Sequence, residues 1–156
     1  MLGTFRNCTN LATAPEIPSG VTNMFATFGG CTNLATAPEI PDSVTDMDFT
    51  FSECTRIENA PEIPSGVTNM YGTFRECTNL ATAPEIPSGV TDMGTTFYLC
   101  KNLTGTVVIN ATTLNDMSYT FEGTVKPIVL KGTSPYLAEL AATAKNGNVT
   151  VQTTSE

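Results

Sequence analysis

The chain has 156 residues, enough for one domain with a sizeable core, of which 40 % are apolar and only 14 % charged. That balance excludes a disordered chain, and no apolar run is long enough to cross a membrane. Seven Lys/Arg against fifteen Asp/Glu give a net charge of −8, which argues against nucleic acid and anionic membranes as partners, and the lack of histidine removes the commonest general base and metal ligand.

The chain opens without a charged start and apolar stretch, so no signal peptide is expected in this numbering. From the first residues it repeats itself. CTNLATAPEIPSGVTNM at residues 8–24 returns almost unchanged at residues 77–93. Cys8, Cys31, Cys54, Cys77 and Cys100 follow one another every 23 residues, and Phe5, Phe28, Phe51, Phe74 and Phe97 keep the same step. So do the Met column from Met1 to Met93, the Leu/Ile column from Leu11 to Leu103, the Ile column from Ile17 to Ile109 and the Val column from Val21 to Val90. One extra residue precedes Leu114, and Met117 and Phe121 resume the pattern one place late. Apolar columns at a fixed period are the signature of a solenoid. A single rung buries too few side chains to offset the entropy of ordering it, so rungs must stack. Met1 falls in register with Met24 and Met47, which places the chain's start partway round a rung. Either the array is longer, or another molecule covers that rung.

The period, with Cys, Leu, Ile-Pro, Val and a Phe before the next Cys, resembles the BspA-like (treponemal-type) leucine-rich repeats. Cys-Thr-Asn-Leu-Ala-Thr-Ala-Pro-Glu-Ile-Pro followed by Ser-Gly-Val-Thr-Asn-Met carries the resemblance over about residues 1–133. It implies a leucine-rich-repeat solenoid of short stacked parallel strands, and a bacterial surface or secreted protein used in adhesion and in contact with proteins or glycans. The sequence departs from that pattern in one respect: Ala-Pro-Glu-Ile-Pro is one residue longer than the family's usual strand and has a proline inside it. Pro15, Pro38, Pro61 and Pro84 have no N–H to give a ladder. The strand is therefore expected to be short, centred on Asn-Leu-Ala-Thr-Ala, and to end near these prolines. In the fifth rung Thr106-Val107-Val108-Ile109 replaces the motif and should pair more regularly.

Beyond the rungs the pattern breaks. Lys126-Pro127-Ile128-Val129-Leu130 reads as a last strand, Ser134 as an N-cap with Pro135 at the first helical position, and residues 137–142 as a helix. Asn146-Gly147 reads as its stop and Val149-Thr150-Val151 as a closing strand. The expected organisation is solenoid rungs over 1–123, a strand–helix–strand cap over 124–152 and a tail over 153–156.

Each column that bears chemistry also has an architectural reading. The cysteines lack a C-x-x-C pair, which argues against metal. Stacked thiols could reach one another, but five identical positions offer no unique pairing. A ladder of small buried thiols is the favoured reading, with Phe28, Phe51, Phe74 and Phe97 beside it in the core. Glu16, Glu39, Glu62 and Glu85 form an acidic stripe without calcium-loop spacing. Asn23, Asp46, Asn69, Asp92 and Asp116 are placed to bond turn backbone. Two threonine columns, from Thr22 and from Thr27, suit rung-to-rung hydroxyl bonds. They lack the two outward threonines, two apart on a regular strand, that binding ice requires. With no histidine and with its carboxylates dispersed by the repeat, the chain offers no catalytic site, no metal site and no cofactor site.

The rungs differ mainly between each Met and the next Cys. Those differences stack Phe25, Phe49, Tyr71, Tyr98 and Tyr119, with Arg6 and Arg75, on one face, and exposed aromatics and Arg are what binding surfaces use. The first expectation is a non-enzymatic recognition module for a protein or glycan, without nucleic acid and without membrane insertion. The alternative is a building block of an appendage, fibre or phage particle that self-associates through its first rung.

Overall fold

Between each Met and the next Cys the chain makes a run of overlapping turns, and these turns hold the rungs together. In the computed structural model, which describes residues 1–152, the N–H groups of Thr27, Gly29 and Cys31 donate to the carbonyls three residues back, at 2.9, 3.2 and 3.0 Å. The alternate N–H groups, of Ala26, Phe28 and Gly30, donate instead to Asp48, Thr50 and Ser52 of the next rung at 2.9, 2.9 and 2.8 Å. The same alternation returns in the later rungs, so every turn is locked both to itself and to its neighbour. The geometry requires a left-handed residue at two places per rung. Ala26, Phe49, Thr95 and Tyr119 hold φ between 48° and 57° at the first, and Asn7, Glu53, Glu76 and Leu99 hold φ between 57° and 62° at the second. Side chains other than glycine normally avoid this region, at a cost of about 1–2 kcal/mol each.

Inside the turns the phenylalanines stack. Phe28, Phe51, Phe74, Phe97 and Phe121 are fully buried, and successive rings from Phe5 onward lie 5.4–5.8 Å apart and within 17° of parallel. Beside them Thr50, Thr73, Thr96 and Thr120 are buried, and their hydroxyls donate to the Met carbonyls of the preceding rung at 2.8–2.9 Å. Cys31, Cys54, Cys77 and Cys100 are buried and unpaired, each thiol donating to a Phe carbonyl one rung back at 3.0–3.1 Å. Cys8 does not share that environment. It is exposed, because among the described residues no rung precedes the first to cover it.

The second line of contact is the Asn/Asp column, where parallel bridges join Asn23 to Asp46, Asp46 to Asn69, Asn69 to Asp92 and Asp92 to Asp116. Each side chain also accepts the N–H two residues on, from Phe25 at 2.8 Å to Ser118 at 2.7 Å.

The proline stretch behaves differently from the expectation. No strand forms on Asn-Leu-Ala-Thr-Ala. Only the single bridges Thr13–Thr36 and Asn59–Thr82 remain, since paired proline columns leave too few donors for a ladder. Ile40 and Ile63 are correspondingly only half-buried. Pairing returns where the motif changes. Strand β1 (Gly105–Val108) runs parallel to β2 (Ile128–Lys131), which runs parallel to β3 (Val149–Val151). Between β2 and β3 lies helix α1 (Leu137–Ala142), with Leu140 buried. It starts later than the capping residues suggested. The Ser134 hydroxyl accepts the Tyr136 N–H at 3.3 Å within a preceding turn, and the helix itself has no side-chain cap. The tail expected at residues 153–156 lies outside the described residues.

Candidate binding face

The face is built by the turns. In each turn the Phe, the Thr before it and the Cys after it point in, while Phe25 and Tyr71 directly after Met, Phe49 and Tyr119 one place later, and Arg6, Arg75 and Tyr98 directly after Phe reach the surface. Arg6, Phe25, Phe49 and Arg75 line one concavity of about 270 Å³, together with Gly29, Gly30 and Glu53. Tyr71, Arg75, Tyr98 and Tyr119 line the adjoining one, of about 310 Å³, with Thr95 and Glu122. All seven residues singled out from the sequence are thus brought together, and Arg75 belongs to both concavities. Exposure grades along the face: Phe25 (39 %) and Tyr119 (51 %) stand out, whereas Phe49, Tyr71 and Tyr98 are half-buried.

Phe25, Phe49 and Tyr71 pack against one another in a row. Phe25 and Phe49 meet edge to face at 6.4 Å, and Phe49 and Tyr71 at 5.3 Å. Such pairs stabilise by about 0.5–1.5 kcal/mol beyond their burial and pre-order the surface. Room for them comes from glycines one rung on. A methyl at Gly72 would lie 2.5 Å from the Phe49 ring, and one at Gly94 would lie 2.8 Å from the Tyr71 ring. The Arg75 guanidinium lies 5.6 Å above Tyr98 and pairs with Glu76 at 2.6 Å. Lys145, from the segment after α1, lies 5.1 Å over Tyr119 and pairs with Glu122. That carboxylate holds the Lys145 proton more firmly than usual. Sequence reasoning missed Lys145, which the C-terminal segment delivers, and the two spacing glycines. A large residue followed by glycine one period later was the signal that could have found the glycines.

One acidic group in this face is out of balance. Asp48 sits in the column between Phe25 and Tyr71, and its Oδ1 is buried without a hydrogen bond. Burial, then the charges of Asp46 and Asp92, push its carboxyl up to about 6. Asp92 is raised as well, by burial first and by Asp116. Among the described residues no group of three Cys, Asp or Glu could hold a metal ion, and no helix is long and apolar enough to cross a membrane.

Six copies of the BspA-type leucine-rich repeat region match residues 2–126. The chain belongs to the BspA-type leucine-rich repeat family. Repeats of this type are generally protein-interaction modules rather than enzymes, and BspA-type proteins are typically surface or secreted proteins of bacteria. No curated protein matches the chain. Among solved structures, a leucine-rich repeat protein from Bacteroides ovatus is similar in fold, with a TM-score of 0.59 at 21 % identity. The match covers 81 % of this chain and 39 % of the Bacteroides protein, so the BspA-type chain described here spans well under half of that neighbour.

Proposed function

We propose that the chain is a non-enzymatic recognition module of the bacterial cell surface or exterior, which binds a protein or glycan partner through the aromatic and arginine face. One observation carries this reading. The side chains that vary from rung to rung converge on two adjoining concavities sharing Arg75, while the Phe and Cys columns are spent on the core. Planar aromatic rings beside guanidinium groups suit both sugar rings and protein side chains. The test is an array of immobilised glycans and extracellular proteins, probed with the protein and with a Phe25→Ser/Tyr119→Ser variant. Both positions are exposed, so the variant should stay folded, its melting temperature lowered only slightly by loss of the Phe25–Phe49 and Lys145–Tyr119 contacts, and should lose the array signal. An unchanged signal would place the binding surface elsewhere.

A second reading has its own observation. The first rung presents Leu2 (69 % exposed) and Cys8 to solvent, a surface on which a further rung or another molecule could stack. Self-assembly of the chain through that rung would make it a building block, and light scattering of the reduced protein distinguishes a defined oligomer from a monomer. In either reading residues 124–152 act as the cap that closes the far end of the stack.

A further inference from the structure

Two concavities larger than those of the aromatic face lie away from it, along the proline stretch. One of about 560 Å³ and one of about 530 Å³ share Pro61, Glu62 and Ile63 as lining, so they form a continuous groove across several rungs. Its origin is the failure of the rungs to pair there. Among the described residues the N–H groups of Glu39, Ile40, Glu62 and Ile63 donate to no acceptor, whereas the equivalent Ile86 N–H donates to Val108 at 2.8 Å once the prolines are gone from the neighbouring rung. Donors left unpaired along a groove are available to the carbonyls of a guest chain.

The charge of the groove is one-sided. Glu39, Glu62 and Glu85 line it at successive rungs and are exposed, and no Lys or Arg lines either part. The ion pairs among the described residues, Arg75–Glu76 and Lys145–Glu122, lie on the other face. The one bond made to this column is from the Asn110 amide to Glu85 at 2.7 Å. Rungs stack roughly 4.8 Å apart, while alternate side chains of an extended peptide lie about 6.8 Å apart, a mismatch that flexible lysine stems can span.

We infer that this groove docks an extended, lysine- or arginine-rich segment of a partner protein, with the cations on the Glu39–Glu62–Glu85 ladder and the backbone against the unpaired N–H groups. The inference is independent of the aromatic face, whose variants should leave it intact.

Titration calorimetry with hexalysine as the probe tests it. Binding is expected, weakening as salt rises from about 50 to about 300 mM. A Glu39→Gln/Glu62→Gln/Glu85→Gln variant should lose affinity by about tenfold or more, and a Glu53→Gln/Glu76→Gln/Glu139→Gln variant of equal net charge should stay within about threefold. The Phe25→Ser/Tyr119→Ser variant should bind hexalysine as the parent does, which separates failure of this groove from failure of the aromatic face. No binding, or equal loss in the two charge variants, would overturn the proposal. So would spermine, a polycation without a peptide backbone, binding as tightly as hexalysine.

Discussion

The backbone N–H of Phe121 donates to the hydroxyl of Thr143 at 2.9 Å. In the preceding rung the equivalent donor, the Phe97 N–H, finds the carbonyl of Thr120. A side chain from beyond α1 thus substitutes for the missing next rung, and Asn146 and Asn148 do the same for the carbonyls of Thr124 and Lys126, each at 2.7 Å. Thr143→Val keeps the shape and removes the acceptor from a part-buried donor. It should lower stability by about 1–2 kcal/mol in urea unfolding, and no change would mean that water serves the Phe121 N–H equally well.

Thiol chemistry reports the register of the cysteine column. Burial raises the thiols of Cys31, Cys54, Cys77 and Cys100, which holds them protonated and unreactive, while Cys8 is exposed. A thiol reagent should label Cys8 alone in the native protein and all five cysteines in denaturant. Rapid native labelling of Cys77 would contradict the stacking.

Asp48 makes stability depend on pH in the direction opposite to an ordinary ion-paired aspartate. Its folded value of about 6 lies above the ordinary value of 3.8. Its favourable contribution is therefore complete at low pH and is lost as pH rises through about 6. Asp48→Asn, neutral throughout, should stabilise the protein by about 1–2 kcal/mol at about pH 8, allowing for the solvent that reaches this half-buried carboxyl, and by nothing at about pH 3. Equal effects at both values would show that the carboxyl is not strained.

Glu53 tests the left-handed columns. It holds φ of 62° at an exposed position. Glu53→Gly should relieve the backbone by more than the added chain entropy costs, a net gain of about 0.5–1 kcal/mol in thermal or urea unfolding. A loss would mean that the carboxylate supplies something the backbone geometry does not require.

The stacking register could be read from the sequence because the buried columns have to be alike. A Phe above a Phe or a Cys above a Cys packs the same way at every step, and Phe28 to Phe121 do so. The candidate face could be read for the complementary reason, that Phe25, Phe49 and Tyr119 occupy columns whose residues change from rung to rung. The left-handed turn positions could not be read. Phe49, Tyr119 and Glu53 carry no mark of positive φ, and the neighbouring rungs impose it through their hydrogen bonds. The open proline stretch was half legible. The missing donors could be counted, and Glu39, Glu62 and Glu85 are exposed as a solvated stripe should be, but the groove beside them could not be read. Cys8 was misplaced because a column says nothing about what covers its first member.

Hydrogen exchange on the isolated protein tests the account most directly, because both proposed surfaces depend on where the rungs are joined. The amides of Phe28, Phe51, Phe74 and Phe97, which bridge the rungs in the turns, should exchange only through global unfolding. Those of Glu39, Ile40, Glu62 and Ile63 should exchange close to the rate of an unfolded chain. Protection of the second group equal to the first would mean that the proline stretch is zipped, and would contradict the account.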